Sequence, residues 1–337
     1  MLTDTITHIE SGTSLTQEEM AETIDLIMQG VCAEDDIRAF LLALVAKGET
    51  VAEIAGAAAA MRQHMTILES SRDDLVDTCG TGGDGSGTFN ISTAAAIVAA
   101  GAGIAIAKHG NRSITSKTGS ADVLSELGVN IEASVNVMQQ SLDEAGICFC
   151  FAPLFHPAMR HVGPARRSIA VPTIFNLLGP LCNPARAPYQ LLGVGKPALR
   201  TRLSAALALL ETKQAFVVCG KDGLDEITLE GTTLVTEVID STTQESEWCP
   251  ADFGLTAQSL ATMNVENPVE SAACIMNILH GEQGASRDIV VINTAAAISL
   301  ARPDLGLQEC AHQAAESIDS GAALKSLKQF GAITQQS

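Results

Sequence analysis

The sequence predicts an α/β protein: a small N-terminal helical domain plus a larger α/β domain with a mainly parallel central sheet. Three observations lead there. Up to residue 72, apolar residues recur at helical spacing behind helix-start signals. After Asp73, short β-rich runs alternate with helical stretches, the pattern of a parallel sheet covered by helices. Aromatic residues make up only 3% of the 337, so the core must be largely Ala, Leu, Ile and Val. Such a core suits helices packed tightly on a sheet.

The elements follow in order. Thr16 and Glu19 make a capping box, and Leu15 can staple against Met20. The helix they start runs to about Gly30, with Met20, Ile24, Ile27 and Met28 as one stripe. A second helix carries Ile37, Phe40, Leu41, Leu44 and Val45 and stops at Lys47-Gly48. A third starts at the Thr50/Glu53 box and reaches about Met65. Three helices with short connections make a small helical unit. The domains are therefore 1–72 and 73–337. In the second, Thr93 to Ala107 reads as a buried helix followed by a strand. Ile104-Ala105-Ile106 and Ala215 through Cys219 read as strands, and Cys148 and Cys150 lie in another. A Pro-rich stretch, Pro153 to Pro188, interrupts the alternation. Thr232 to Pro250 reads as peripheral strands and loop. Two late helices, near Val269–Leu279 and Ile289–Ala301, flank the sheet.

Composition bounds the function. Hydrophobic residues are 46% and charged residues 18%, which reads as a compact soluble protein. A formal charge of −19 opposes binding to nucleic acid or to an anionic membrane. An anionic substrate still fits if the few cations are focused, as at Lys108 and Arg112. The nine cysteines include no Cys-x-x-Cys pair and read as buried reduced thiols. Met1-Leu2-Thr3-Asp4 lacks a basic start and an apolar signal core, and no stretch reads as a membrane span. A cytoplasmic location is the expectation.

The chemistry gathers in two segments. Gly80-Thr81-Gly82-Gly83-Asp84 is a glycine turn ending in a carboxylate. Glycines there let backbone N–H groups approach phosphate closely. Thr88 and Asn90-Ile91-Ser92-Thr93 follow, where an Ala-rich helix begins and its dipole and unpaired N–H groups favour an anion. Gly80 to Gly85 has the Gly-x-Gly-x-x-Gly spacing, but the helix starts only after Asn90 and no Walker A lysine follows, which disfavours a dinucleotide or ATP. Lys108 follows an apolar strand and opens a loop to Ser116. Of its nine residues, only Gly110 and Ile114 lack a polar side chain. That is a poor core and a good polyanion cradle. Asp225 and Glu226 follow the strand from Ala215 to Cys219 and a turn. Alone such a pair is a solvated turn; beside a pyrophosphate it becomes a magnesium site, since Mg²⁺ takes few protein carboxylates and substrate phosphates. His and Cys show no zinc-like spacing.

These segments resemble the anthranilate phosphoribosyltransferases. The resemblance continues through Ser120-Ala121-Asp122, Phe155-His156-Pro157-Ala158-Met159-Arg160, Gly163-Pro164-Ala165-Arg166-Arg167, Asn176-Leu177-Leu178-Gly179-Pro180 and Asp222-Gly223-Leu224-Asp225-Glu226. It covers nearly the whole chain and implies transfer of a phosphoribosyl group to the amine of anthranilate. It implies that Gly80, Gly83, Asp84, Thr88 and Asn90, Ile91, Ser92, Thr93 contact phosphoribosyl pyrophosphate. Lys108, His109, Gly110, Asn111, Arg112 and Ser113, then Ile114, Thr115, Ser116 and Ser120, close over its phosphates. Lys108 neutralises phosphate, and Arg112 either helps or tethers the loop. Two Mg²⁺ per subunit sit on Ser92, Asp225 and Glu226. Arg166 grips the anthranilate carboxylate by a two-pronged hydrogen bond, with Asn111 and the Gly80 backbone. His109 reads as a positioning group rather than a base, and His156 and His161 as structural or pocket-lining. The resemblance also implies that part of 153–190 packs back onto the N-terminal helices, and that a homodimer forms through the helical domain.

Two residues depart from the family pattern. Pro172 replaces a common arginine, which puts one helical-domain polar contact in doubt. Cys219 replaces a common histidine near the metal carboxylates, which bears on their hydrogen bonding. A pyrimidine nucleoside phosphorylase and a non-enzymatic nucleic-acid-binding protein of the same fold are the alternatives. The first needs one phosphate site only; the second needs a basic groove.

Overall fold

The computed structural model describes residues 2–113 and 117–336. Among them, four helices come first: α1 (Leu2–Glu10), α2 (Gln17–Met28), α3 (Glu34–Lys47) and α4 (Val51–Gln63). The sequence shows three. α1 buries only Leu2 and Ile9, too few to make a visible stripe. Both capping boxes form. The Thr16 hydroxyl accepts from the Glu19 amide at 3.1 Å and the Glu19 carboxylate from the Thr16 amide at 2.8 Å. Thr50 and Glu53 repeat this at 3.3 and 2.8 Å. Glu53 is fully buried and also accepts from Leu15 N–H and Lys47 Nζ, each at 2.9 Å, tying the entry of α2 to α4.

Seven strands follow among the described residues: β1 (Val76–Gly80), β2 (Ile106–Gly110), β3 (Ile147–Phe151), β4 (Tyr189–Gly193), β5 (Gln214–Gly220), β6 (Thr233–Ile239) and β7 (Thr242–Trp248). They form one sheet in the order β3-β2-β1-β4-β5-β6-β7. The first five are parallel and the last two make an antiparallel hairpin at one edge. The mainly parallel sheet and its peripheral hairpin are as expected. β1 pairs with β4 over five residues but with β2 only at Val76↔Ile106. Beyond that pair, backbone pairing between β1 and β2 ends although the strands stay side by side.

The connections are α5 (Ile91–Gly101), α6 (Ser120–Glu126), α7 (Val135–Ala145), the short turns α8 (Ala152–Phe155), α9 (Gly163–Arg167) and α10 (Phe175–Leu178), then α11 (Pro197–Leu209). Four helices come last: α12 (Pro268–Leu279), α13 (Ala285–Ala301), α14 (Leu307–Asp319) and α15 (Ala322–Thr334). The final two carry no capping side chain and escape the sequence reading.

Two apolar clusters hold the sheet between them. One joins α5, α13, α14 and α15 to one face. Alanines at 94–96, 99 and 100 let α5 lie close to its neighbours. The other joins α1–α4, residues 162–182 and α11 to the opposite face, through Cys79, Leu192, Val194, Val217 and Cys219. All nine cysteines are free. Among the described residues, no helix is long and apolar enough to cross a membrane.

Candidate active site

The carboxyl ends of β1 and β2, the start of α5 and the turn after β5 enclose a cleft of about 500 Å³. This is where open α/β sheets bind ligands. The glycine turn occupies its floor. Gly82 and Gly83 have φ of 66° and 77°, a region closed to most side chains. Asp225 explains the turn's shape: its Oδ2 accepts from Gly82 N–H at 3.0 Å, and a Cβ on Gly80 would stand 2.9 Å from that oxygen. A Cβ on Gly193 would meet the Asp225 carbonyl oxygen at 1.6 Å, so only glycine fits.

Asp84 approaches from the same turn, with Asp225 N–H 3.5 Å from its Oδ2. Three carboxylates, Asp84, Asp225 and Glu226, therefore share one end of the cleft. Burial, then the charge of Asp84, pushes Asp225 up to about 7. Burial, then Asp225, pushes Glu226 well above the usual carboxylate range, against the pull of Lys108. The site is short of positive charge.

Asn90 caps α5. Its Oδ1 accepts from Thr93 N–H at 3.0 Å, and its Nδ2 donates to Thr118 O at 2.8 Å. Ser92 Oγ lies beside it, 3.1 Å from Lys108 Nζ. Thr93 departs from the expected placement. As the third helical residue it turns into the core, and its hydroxyl has no partner among the described residues.

Lys108 and His109 also differ from the sequence reading. They lie inside β2, not in a loop, and both are buried. Lys108 Nζ donates to Thr78 O as well as to Ser92. Burial lowers its pKa, opposed by Asp77, Cys79 and Glu226. His109 Nδ1 donates to Gly179 O at 3.0 Å, and its Nε2 faces His156 Nε2 at 3.2 Å. Burial foremost depresses His109 to about 3 and His156 to about 4, so both are neutral near pH 7.

The loop begins at Asn111. Arg112 ion-pairs with Asp122 at 2.9 Å and lies over the Phe151 ring, which makes it the tether of this loop. Ser113 N–H donates to the same Asp122 at 3.0 Å. Ser120 Oγ donates to Asn111 O at 3.4 Å. Ile114, Thr115 and Ser116 lie outside the described residues.

Across the cleft, Arg166 on α9 stacks over Phe175 with its guanidinium 5.6 Å from the ring centre. Burial alone moves its pKa, downward; among the described residues no carboxylate pairs with it. Phe175, Asn176, Gly179 and Pro180 line the same side. Of these, only the run from Asn176 to Pro180 stands out in the sequence, and it carries no chemical signature of a pocket. Cys219 faces the helical side of the sheet, its thiol 3.6 Å from Gly220 O. Pro172 is exposed and outside the cleft.

The family model for the a/b domain of the glycosyl transferase family matches residues 72–324, and that for its helical bundle domain matches residues 3–65. The anthranilate phosphoribosyltransferase of Rhodopirellula baltica is 51% identical, over 97% of this chain and 96% of its own. The crystal structure of the enzyme of that name from Thermus thermophilus matches with a TM-score of 0.91 at 39% identity, covering 98% of this chain and 99% of its own. The Saccharomyces cerevisiae enzyme, solved in complex with phosphoribosyl pyrophosphate and Mg, matches at 0.90 and 29%, covering 99% of both.

Proposed function

The chain belongs to the glycosyl transferase family and, within it, to the anthranilate phosphoribosyltransferases, and from that premise we propose how its cleft divides the work. The enzyme transfers the phosphoribosyl group of phosphoribosyl pyrophosphate to the amine of anthranilate. The products are N-(5-phosphoribosyl)anthranilate and pyrophosphate, in the second step of tryptophan biosynthesis from chorismate. Family membership sets aside the phosphorylase and the nucleic-acid-binding alternatives.

The donor lies along the Gly80–Asp84 turn, Thr88, the start of α5, the end of β2 at Lys108 and the residues that follow it from Asn111, with Ser120 beside Asn111. Backbone amides, the α5 dipole and Lys108 take the phosphates. As the C1–O bond to pyrophosphate lengthens, the ribose gains oxocarbenium character and the amine attacks C1. The amine is a free nucleophile at neutral pH, so no strong base is needed. A neutral His109, its Nδ1–H locked to Gly179 O, positions and takes no part in proton transfer. Catalysis then rests on orientation and on a stabilised leaving group.

Among the described residues, no three His, Cys, Asp or Glu form a metal cage by themselves. That fits Mg²⁺ arriving with the donor's phosphates and completed by a few protein oxygens. Ser92, Asp225 and Glu226 would hold it, at two ions per subunit; the two carboxyls, whose pKa values are raised, mark a place for cations. When bound, Mg²⁺ supplies neutralising charge to the departing pyrophosphate.

Anthranilate takes the opposite wall, its carboxylate on Arg166, with Asn111 and the Gly80 backbone. One observation carries the whole assignment. A single cleft opposes carboxylates short of a cation to a half-buried guanidinium short of an anion. The small domain comprises 1–72 with part of 153–190, supported by their shared apolar cluster. A cytoplasmic homodimer through the helical domain, with no nucleic acid or membrane partner, completes the reading. Val31 and Leu42, exposed on that domain, support the dimer. Mixing the protein with Mg²⁺, phosphoribosyl pyrophosphate and anthranilate tests the activity. Anthranilate fluorescence should fall with time; a constant signal overturns the reading.

A further inference from the structure

We infer that Asp77 and Gln190 are positioning residues that set the acceptor half of the cleft. The reason lies between β1 and β2. Their backbone pairing ends at Val76↔Ile106, so the strand amides and carbonyls beyond it need other partners. Side chains supply them. Asp77 Oδ1 accepts from His109 N–H at 3.1 Å. Lys108 Nζ donates to Thr78 O. Asn183 Nδ2 donates to Ala107 O at 2.7 Å.

Asp77 is fully buried and does not line the cleft. It reaches the cleft by two routes. The first is the His109 amide. The second is Gln190, whose Nε2 lies 3.4 Å from Asp77 Oδ2 and donates to Pro180 O at 2.6 Å. Pro180 follows Gly179, whose carbonyl holds the His109 ring. The histidine is thus clamped twice by one buried network: by its amide through Asp77, and by its ring through the turn that Gln190 anchors. Both routes end at Gly179 and Pro180, on the wall assigned to anthranilate, with His109 held against them. Neither includes the glycine turn, Asn90 or the Asp225-Glu226 pair. Asp77 also faces the Asn183 side chain and the charge of Lys108, and Gln190 Nε2 lies 3.3 Å from Cys79 Sγ, so Gln190→Met, which leaves the charge beside Lys108 in place, is the cleaner test.

The inference rests on the acceptor reading above, and wild-type turnover of anthranilate, run alongside, checks that reading separately. The test uses Gln190→Met and Asp77→Asn. Gln190→Met removes the bond to Pro180 O at similar volume. Asp77→Asn keeps an acceptor for the His109 amide but turns the other atom into a donor facing Gln190 Nε2. Each variant is first compared with wild type by circular dichroism and melting. For Gln190→Met, KM for anthranilate should then rise about tenfold, with KM for phosphoribosyl pyrophosphate within about twofold of wild type; for Asp77→Asn, which also removes a charge beside Lys108, the anthranilate KM should rise several-fold more than the other. If Asp77→Asn does not fold, Gln190→Met decides. Folded variants with both constants unchanged, or both raised alike, overturn the inference. So does failure of both variants to fold, which would make the pair structural only.

Discussion

The two halves of the cleft are built differently. The donor half is made of contiguous sequence: a turn of five residues, a helix start and a pair of adjacent carboxylates. Its shape is set by backbone, with glycine where Asp225 packs against Gly80 and Gly193. The half proposed for the acceptor is made of residues brought together by the fold: His109 from β2, Arg166 from α9, and Phe175 and Gly179 from the stretch at α10. Anion binding by amides tolerates a local motif. Recognition of an aromatic acid needs a shaped wall, and the chain assembles one only by folding.

The sharpest test of that division removes charge from the donor half. Asp225→Ala with Glu226→Ala should lower turnover by about a thousandfold or more, some 4 kcal/mol, with the fold retained. Chelation of Mg²⁺ from the wild type should cause a similar loss. Turnover unchanged in EDTA would remove the metal assignment. On the opposite wall, Arg166→Ala deletes a charge-assisted contact worth about 2 kcal/mol. KM for anthranilate should rise about thirtyfold and that for phosphoribosyl pyrophosphate hardly at all. Equal effects on both substrates would place Arg166 in a structural role and dissolve the distinction between the walls.

A backbone change then probes the turn. Gly83→Ala forces a side chain onto a φ of 77°, at about 1–2 kcal/mol. Calorimetric titration at matched folded fraction should show roughly tenfold weaker binding of phosphoribosyl pyrophosphate with Mg²⁺. Wild-type affinity in that titration would mean the turn is only a structural connection. The smallest effect comes from pH. Asp225 is raised to about 7, and its charged form is the one that binds metal. The Mg²⁺ concentration for half activity should therefore fall several-fold from pH 6 to pH 8. The effect on stability has the opposite sign. A carboxylate raised above its unfolded pKa favours folding below that pKa. This contribution is lost as pH rises towards 7, so the metal-free protein should melt lower at pH 8 than at pH 5 if this group dominates. A pH-independent Mg²⁺ requirement would uncouple Asp225 from the metal.

The same contrast explains what the sequence reveals. Capping boxes at Thr16 and Thr50, the glycine turn and the Asp225-Glu226 pair are local patterns, and local chemistry dictates them. The placement of Lys108 in a loop failed because a lysine after an apolar run normally marks a strand's end. Here β2 continues for two more residues, the lysine's ammonium satisfied by Thr78 and Ser92. Thr93 reads as a cleft residue by its neighbours, but helix phase turns it inward. Asp77 gives no signal beyond being an acid in an apolar strand. Its partners, Gln190 and His109, are more than thirty residues away.

The end of backbone pairing between β1 and β2 has a consequence for how this scaffold can change. A backbone ladder fixes the separation of two strands at one value. Side-chain struts do not. Where Asp77 reaches across to the His109 amide and Asn183 holds Ala107 O, exchanging Asp for Glu or Asn for Gln would alter the spacing by a single methylene. The topology would stay the same. The mouth of the sheet is therefore adjustable in small steps by ordinary point substitution. Substitutions at Asp77 or Asn183 would refit the wall proposed for the aromatic acid while the glycine turn and the Asp225-Glu226 pair stay as they are.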